Sequence, residues 1–272
     1  MASVLPCKDC ISGTIHKGQP LGTDTEKLFG QSVYIAPVPE HPKGTIVYIT
    51  DIFGWTLPNA RLLADAYAKE GGFKVLVPDF FPFQPIPVSS IDAFAPVNET
   101  SAPSFLSGLS QKLTAFPGLI WFLYRTRPSV SVKLMAKFLE DLKASEPDTP
   151  IFTVGFCWGG RYSLIMGTDK VKKGTVSAVA AMHPSLMSIP SDIQNTIVPV
   201  SVGAGTNDDL TSVAFMKKLE GLYREQGVEL DIKTYEDMIH GFAVRGNTEK
   251  EDVAKAMEDA KKQVLEWFTK HS

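Results

Sequence analysis

Ile151-Phe152-Thr153-Val154-Gly155-Phe156-Cys157-Trp158-Gly159-Gly160 reads as a buried strand, a tight turn with a thiol at its tip, and the start of a helix. The apolar run is what a strand covered on both faces requires. Gly155 and Gly159 bracket Cys157 where a sharp strand-to-helix turn leaves no room for side chains. The spacing G-x-C-x-G lifts a nucleophile above the carboxyl end of a strand, with a thiol where a hydroxyl is more usual. A helix beginning directly after it favours thiolate through the positive end of its dipole. The competing reading is a structural cysteine buried beside a glycine turn. A base, an acid and an oxyanion hole elsewhere in the chain would decide between the two.

Outward from this stretch, apolar runs alternate with helical patterns. Strands are expected at Val33–Ala36, Thr45–Thr50, Lys74–Pro78, Ile151–Phe156, Ala178–Met182, Val198–Gly203 and Glu229–Thr234. Helices are expected at Asn59–Lys69, Val130–Ala144, Trp158–Met166, Ser212–Glu225 and Glu251–Lys270, with Gly71-Gly72 and Gly227 as C-terminal stops. Strands separated by helices imply an α/β protein with a mostly parallel central sheet and helices on both faces. Residues 1–24 read as an N-terminal extension. The Pro- and Ser-rich stretch 82–117 reads as an excursion near the site, leading into a helix over Leu119–Arg125. It has too few periodic apolar positions to build its own core, so one domain over 1–272 is expected, without a large lid.

Composition removes several classes of function. A net charge of −3 gives no reason to expect nucleic acid as a partner. No apolar run approaches the roughly 18 residues that span a bilayer, and the first residues do not form a secretion signal. Three cysteines, an odd count, argue for a reducing compartment, and the cytosol is expected. Cys7-Lys-Asp-Cys10 is a lone CxxC with only His16 nearby, which is weak grounds for zinc or redox chemistry. No metal and no cofactor are expected, and the protein is read as a monomer or homodimer.

The candidate base is His240, in a loop after the last strand and before the C-terminal helix. Its side-chain type titrates near working pH. The acid should follow the preceding strand, where Gly205-Thr206-Asn207-Asp208-Asp209 offers two carboxylates. The spacing Gly-x-x-Asp favours Asp208, leaving Asp209 as a helix cap or solvated neighbour. The order Cys157, Asp208, His240 is that of nucleophile, acid and histidine in α/β hydrolases. The oxyanion hole calls for two backbone N–H groups, one from Trp158 and one from Ile52 or its neighbour after the Thr45–Thr50 strand. Asp51, beside that donor, reads either as a turn former or as a regulator of the thiol. His183, after another strand, reads as a pocket residue or a simple turn residue.

Together, Gly155-Phe-Cys-Trp-Gly-Gly160, Asp51-Ile-Phe-Gly54, Val77-Pro-Asp-Phe80, Gly205 to Asp208 and His240-Gly-Phe242 resemble the dienelactone hydrolase (carboxymethylenebutenolidase) family. The resemblance runs from about residue 25 to the C-terminus. It implies a three-layer α/β-hydrolase fold, a triad of Cys157, Asp208 and His240, and a hole formed by Ile52 and Trp158. It also implies hydrolysis of small lactones or esters, often carrying a carboxylate, through a thioester. The family's oxyanion loop usually carries a glutamate that holds the resting thiol; Asp51 stands there, one methylene shorter. Arg245, with Arg125 or Arg127, is the expected counterpart of the family's carboxylate-binding arginines. Phe53 and Trp55 join the expected substrate-binding residues. Two rival readings are a general carboxylesterase or thioesterase on the same scaffold, and a non-catalytic, thiol-responsive binding protein.

Overall fold

A computed structural model describes residues 13–55, 57–81 and 121–272. The stretch 82–117, Cys7 and Cys10 lie outside these residues, as does Leu119. One eight-stranded sheet organises the described residues. It contains β1 (Thr23–Leu28), β2 (Gln31–Ile35), β3 (Thr45–Ile49), β4 (Lys74–Pro78), β5 (Ile151–Phe156), β6 (Ala178–Met182), β7 (Val200–Gly205) and β8 (Leu230–Tyr235). Their spatial order is β1-β2-β4-β3-β5-β6-β7-β8. β3 to β8 run parallel; β1 and β2 add an antiparallel edge.

The helices are α1 (Pro58–Gly71), α2 (Pro128–Ser145), α3 (Trp158–Met166), α4 (Val213–Glu225), α5 (Phe242–Arg245) and α6 (Glu251–Lys270). Local chemistry sets their ends. α1 has Pro58 in its first turn and stops at Gly72, whose φ of 74° suits a left-handed cap. The hydroxyl of Ser212 accepts the N–H of Phe215 at the start of α4. α6 carries Glu251 and Asp252 in its first turn and Lys270 in its last, complementing its dipole.

Strand alternation divides the packing into three layers. On β5, Phe152 stacks on Phe268 of α6 with ring centroids 4.8 Å apart. The next residue, Thr153, points the other way and meets Ser163 of α3 at 2.8 Å. In register with Phe152 and Val154 lie Ile46 and Tyr48 of β3, and Tyr48 packs towards Tyr67 of α1. Helices α1 and α6 therefore cover one face, and α3 covers the other, with α2 against α3. This is the three-layer α/β-hydrolase architecture, with no further domain among the described residues.

Two elements were not expected. β1 lies in and beyond the 1–24 extension and forms a hairpin with β2 through Phe29-Gly30, both at positive φ. Its sequence, TDTEKL, has no apolar face because it is an edge strand. The short α5 directly follows the His240 loop. Residues 121–125 form the helical end of the expected Leu119–Arg125 segment.

Because β3 and β5 to β8 are parallel, the loops carrying Asp51, Cys157, His183, Asp208 and His240 all leave the same edge of the sheet. Phe152→Ala, which removes the ring joining β5 to α6, should cost about 3–5 kcal/mol; the urea denaturation midpoint measures it.

Candidate active site

Cys157 sits at the tip of the β5–α3 turn with φ 53° and ψ −115°, a conformation rarely tolerated by a residue with a side chain. The turn closes tightly. A Cβ on Gly159 would lie 2.2 Å from the carbonyl oxygen of Ile49, and one on Gly155 would lie 2.1 Å from that of Gly159. The lack of side chains thus brings the β3 loop, with Asp51 and Ile52, directly beside Cys157. The amides of Ile52 and Trp158 have no acceptor among the described residues. Trp158 N–H belongs to the open first turn of α3.

His240 and Asp208 are buried together. His240 Nδ1 lies 2.9 Å from Asp208 Oδ2, and Asp208 Oδ1 accepts from the amides of Leu210 and Thr211, each at 2.8 Å. The neighbouring Asp209 is exposed. Burial opposes charge on His240. The negative charge of Cys157 and hydrogen bonds to the Asp208 and Cys157 side chains outweigh it, pushing the imidazole up to about 10. His240 Nε2 nevertheless makes no well-formed hydrogen bond among the described residues. Such contacts are often loose before substrate arrives.

His183 is fully buried at φ 41°, with its ring 5.1 Å from that of His240. Its Nδ1 accepts from Cys157 N–H at 3.2 Å, which places its proton on Nε2. Burial, then the charges of His240 and Arg245, hold it well below the ordinary histidine range. It is a neutral acceptor under the elbow.

Both oxygens of Asp51 are engaged. Oδ1 accepts Phe53 N–H at 3.0 Å, and Oδ2 accepts from Arg245 Nη1. Both side chains of this pair are 1% exposed. Burial raises the Asp51 carboxyl above its ordinary value; Arg245 pulls it back, and the charge of Cys157 adds to the rise. Arg245 passes so close to Gly241 that a Cβ there would lie 2.4 Å from its Nη2. It also lies over the Phe53 ring at 5.2 Å. Trp55 hydrogen-bonds Asp79 and faces the Arg61 guanidinium at 4.8 Å. Arg125 lies over Trp121 at 5.5 Å.

The structure thus brings Cys157, His240, Asp208, Asp51, Arg245, His183 and the Ile52 and Trp158 amides to one place. Trp55 and Arg125 have partners of their own. Ser185 was missed: its Oγ lies 3.4 Å from Cys157 Sγ. The available signal was its place in His183-Pro184-Ser185, just past β6 at the active edge. Among the described residues no cluster of three or more His, Cys, Asp or Glu could hold a metal, and no helix is long and apolar enough to cross a membrane.

Residues 32–272 match the profile of the dienelactone hydrolase family. The chain belongs to the dienelactone hydrolase family. It is a hydrolase acting on ester bonds. Hydrolase pyvD of Aspergillus violaceofuscus is similar, with 26% identity over 100% of this chain and 99% of its own. The carboxymethylenebutenolidase homolog of Homo sapiens is 28% identical over 88% of this chain and 86% of its own. A crystal structure of dienelactone hydrolase from Anabaena variabilis covers 94% of this chain and 99% of its own at TM-score 0.62 and 12% identity, a likeness of fold.

Two outcomes follow for this member of the family. Cys157→Ala removes the group whose charge would raise the His240 pKa, so the His240 titration should move to lower pH than in the wild type; NMR titration of His240 reads the difference. Arg245→Met leaves Asp51 buried without its cation and should cost about 3–5 kcal/mol, measured by chemical denaturation.

Proposed function

We propose that the protein hydrolyses small lactones or esters through Cys157, His240 and Asp208, by way of a thioester on Cys157. The observation that carries this reading is the buried His240, anchored at Nδ1 on Asp208 Oδ2 at 2.9 Å on the same sheet edge as Cys157. The resting pair is thiolate and imidazolium. Thiolate attacks the carbonyl carbon, and the developing oxyanion is received by the N–H groups of Ile52 and Trp158. Collapse expels an alkoxide, which takes the His240 proton. The neutral imidazole then deprotonates water as its oxygen attacks the thioester. Release of the acid restores thiolate and imidazolium. Asp208 holds the tautomer throughout.

The proposed substrate carries a neutral acyl group. Arg245 is engaged by Asp51, and the nearby wall is aromatic. Trp158 packs on Phe81 at 4.8 Å and on Tyr162 at 4.5 Å. Thiolates leave readily, so lactones and activated esters suit the site better than amides. A reducing compartment keeps such a thiol active, and we assign the cytosol.

Cys157→Ala should abolish hydrolysis with an unchanged circular dichroism spectrum, and Asp208→Asn should lower kcat on the order of 10⁴-fold. A panel of lactones, p-nitrophenyl esters and acyl thioesters ranks the substrate classes. Near-native turnover by Cys157→Ala would refute the assignment; a preference for thioesters would replace lactonase by thioesterase.

A further inference from the structure

The His183-Pro184-Ser185 turn contacts Cys157 through three different atoms. His183 Nδ1 accepts its N–H at 3.2 Å, Ser185 N–H donates to its carbonyl at 3.0 Å, and Ser185 Oγ lies 3.4 Å from its Sγ. The turn is itself fixed. His183 and Leu186 hold positive φ values of 41° and 56°. Thr211 Oγ1 donates to the carbonyl of Pro184, while the Thr211 amide donates to Asp208. The Ser185 hydroxyl is therefore buried, rigidly placed and joined to the acid loop.

We propose that Ser185 donates its hydroxyl hydrogen to the Cys157 thiolate and holds the nucleophile in its resting, ionised position. Resting on the triad assignment above, this gives Ser185 a positioning function at the thiol. The chemistry allows one polarity: a thiolate has no proton, so Ser185 must be the donor. An O–H donor to an anion is among the stronger hydrogen bonds, and burial strengthens it further. No covalent step involves Ser185, and its proton stays on Oγ. The charged and titratable groups facing Cys157 from the surrounding loops are His240 after β8, Asp51 after β3, Arg245 on α5 and the neutral His183 after β6. His240 favours the thiolate, whereas Asp51 is like-charged and repels it; Ser185 adds a neutral donor.

The test is the pH dependence of Cys157 alkylation by iodoacetamide in the full chain. Peptide mass spectrometry separates Cys157 from Cys7 and Cys10. Ser185→Ala should move the midpoint upwards by about one pH unit, which lowers the rate about tenfold well below it. Ser185→Thr, which keeps the hydroxyl, should restore the wild-type profile. If Ser185→Ala does not fold, Ser185→Gly gives the same reading. A midpoint unchanged in Ser185→Ala overturns the proposal, and so does a rise that Ser185→Thr fails to reverse, since that assigns the effect to packing. A wild-type midpoint near 8.5, insensitive to His240→Gln, refutes the triad itself and is thereby distinguishable.

Discussion

Cys157 can present its thiol only while the backbone holds it at φ 53°, and most of the surrounding structure serves that constraint. A conformation of this kind costs about 1–3 kcal/mol and persists only where neighbours over-determine it. Here the Cys157 amide is shared by the carbonyl of Met182 and by His183 Nδ1, and its carbonyl accepts from Ser185 and Gly160. The close approach at Gly159 sets the β3 loop against the elbow. β5 in turn is pinned at the centre of the sheet by Phe152 on one face and Thr153 on the other. The strain is local, and its support comes from all three layers.

Electrostatics makes a second demand at the same edge. Asp51 and Asp208 are both buried; Asp51 pairs with the Arg245 guanidinium, and Asp208 with the His240 ring. Buried charge is expensive unless paired and hydrogen-bonded. The amides of Phe53, Leu210 and Thr211 supply the remaining hydrogen bonds. His183, held neutral chiefly by burial, can lie beside His240 without adding charge. The thiolate proposed at Cys157 thus has the His240 imidazolium as its counter-ion, while Asp51 is already engaged by Arg245.

The parallel core was legible because its strands are continuous apolar runs, which only burial on both faces explains. The boundaries of β7 differed, Val200–Gly205 against the expected Val198–Gly203, since Val198-Pro199 precede the ladder. β1 was invisible because an exposed edge strand carries no buried face to leave a pattern. The choice between Asp208 and Asp209 could be argued from spacing, yet their opposite burial comes from the turn that sends one inward and the other out. Ser185 could not be singled out, because serine after a strand is common and only its distance to Sγ distinguishes it.

The sequence by itself determined the alternation of strands and helices, the glycine-bracketed thiol, and the order of acid and histidine after it. These are properties of neighbours along the chain, where steric and periodic rules act directly. Tertiary structure decided which polar atoms meet. Asp51 and Arg245 are 194 residues apart, and Cys157 and Ser185 are 28 apart. No local rule connects residues at such separations. Their pairing follows from parallel strands that deliver every loop to one edge, and from loop conformations that only the packed sheet fixes.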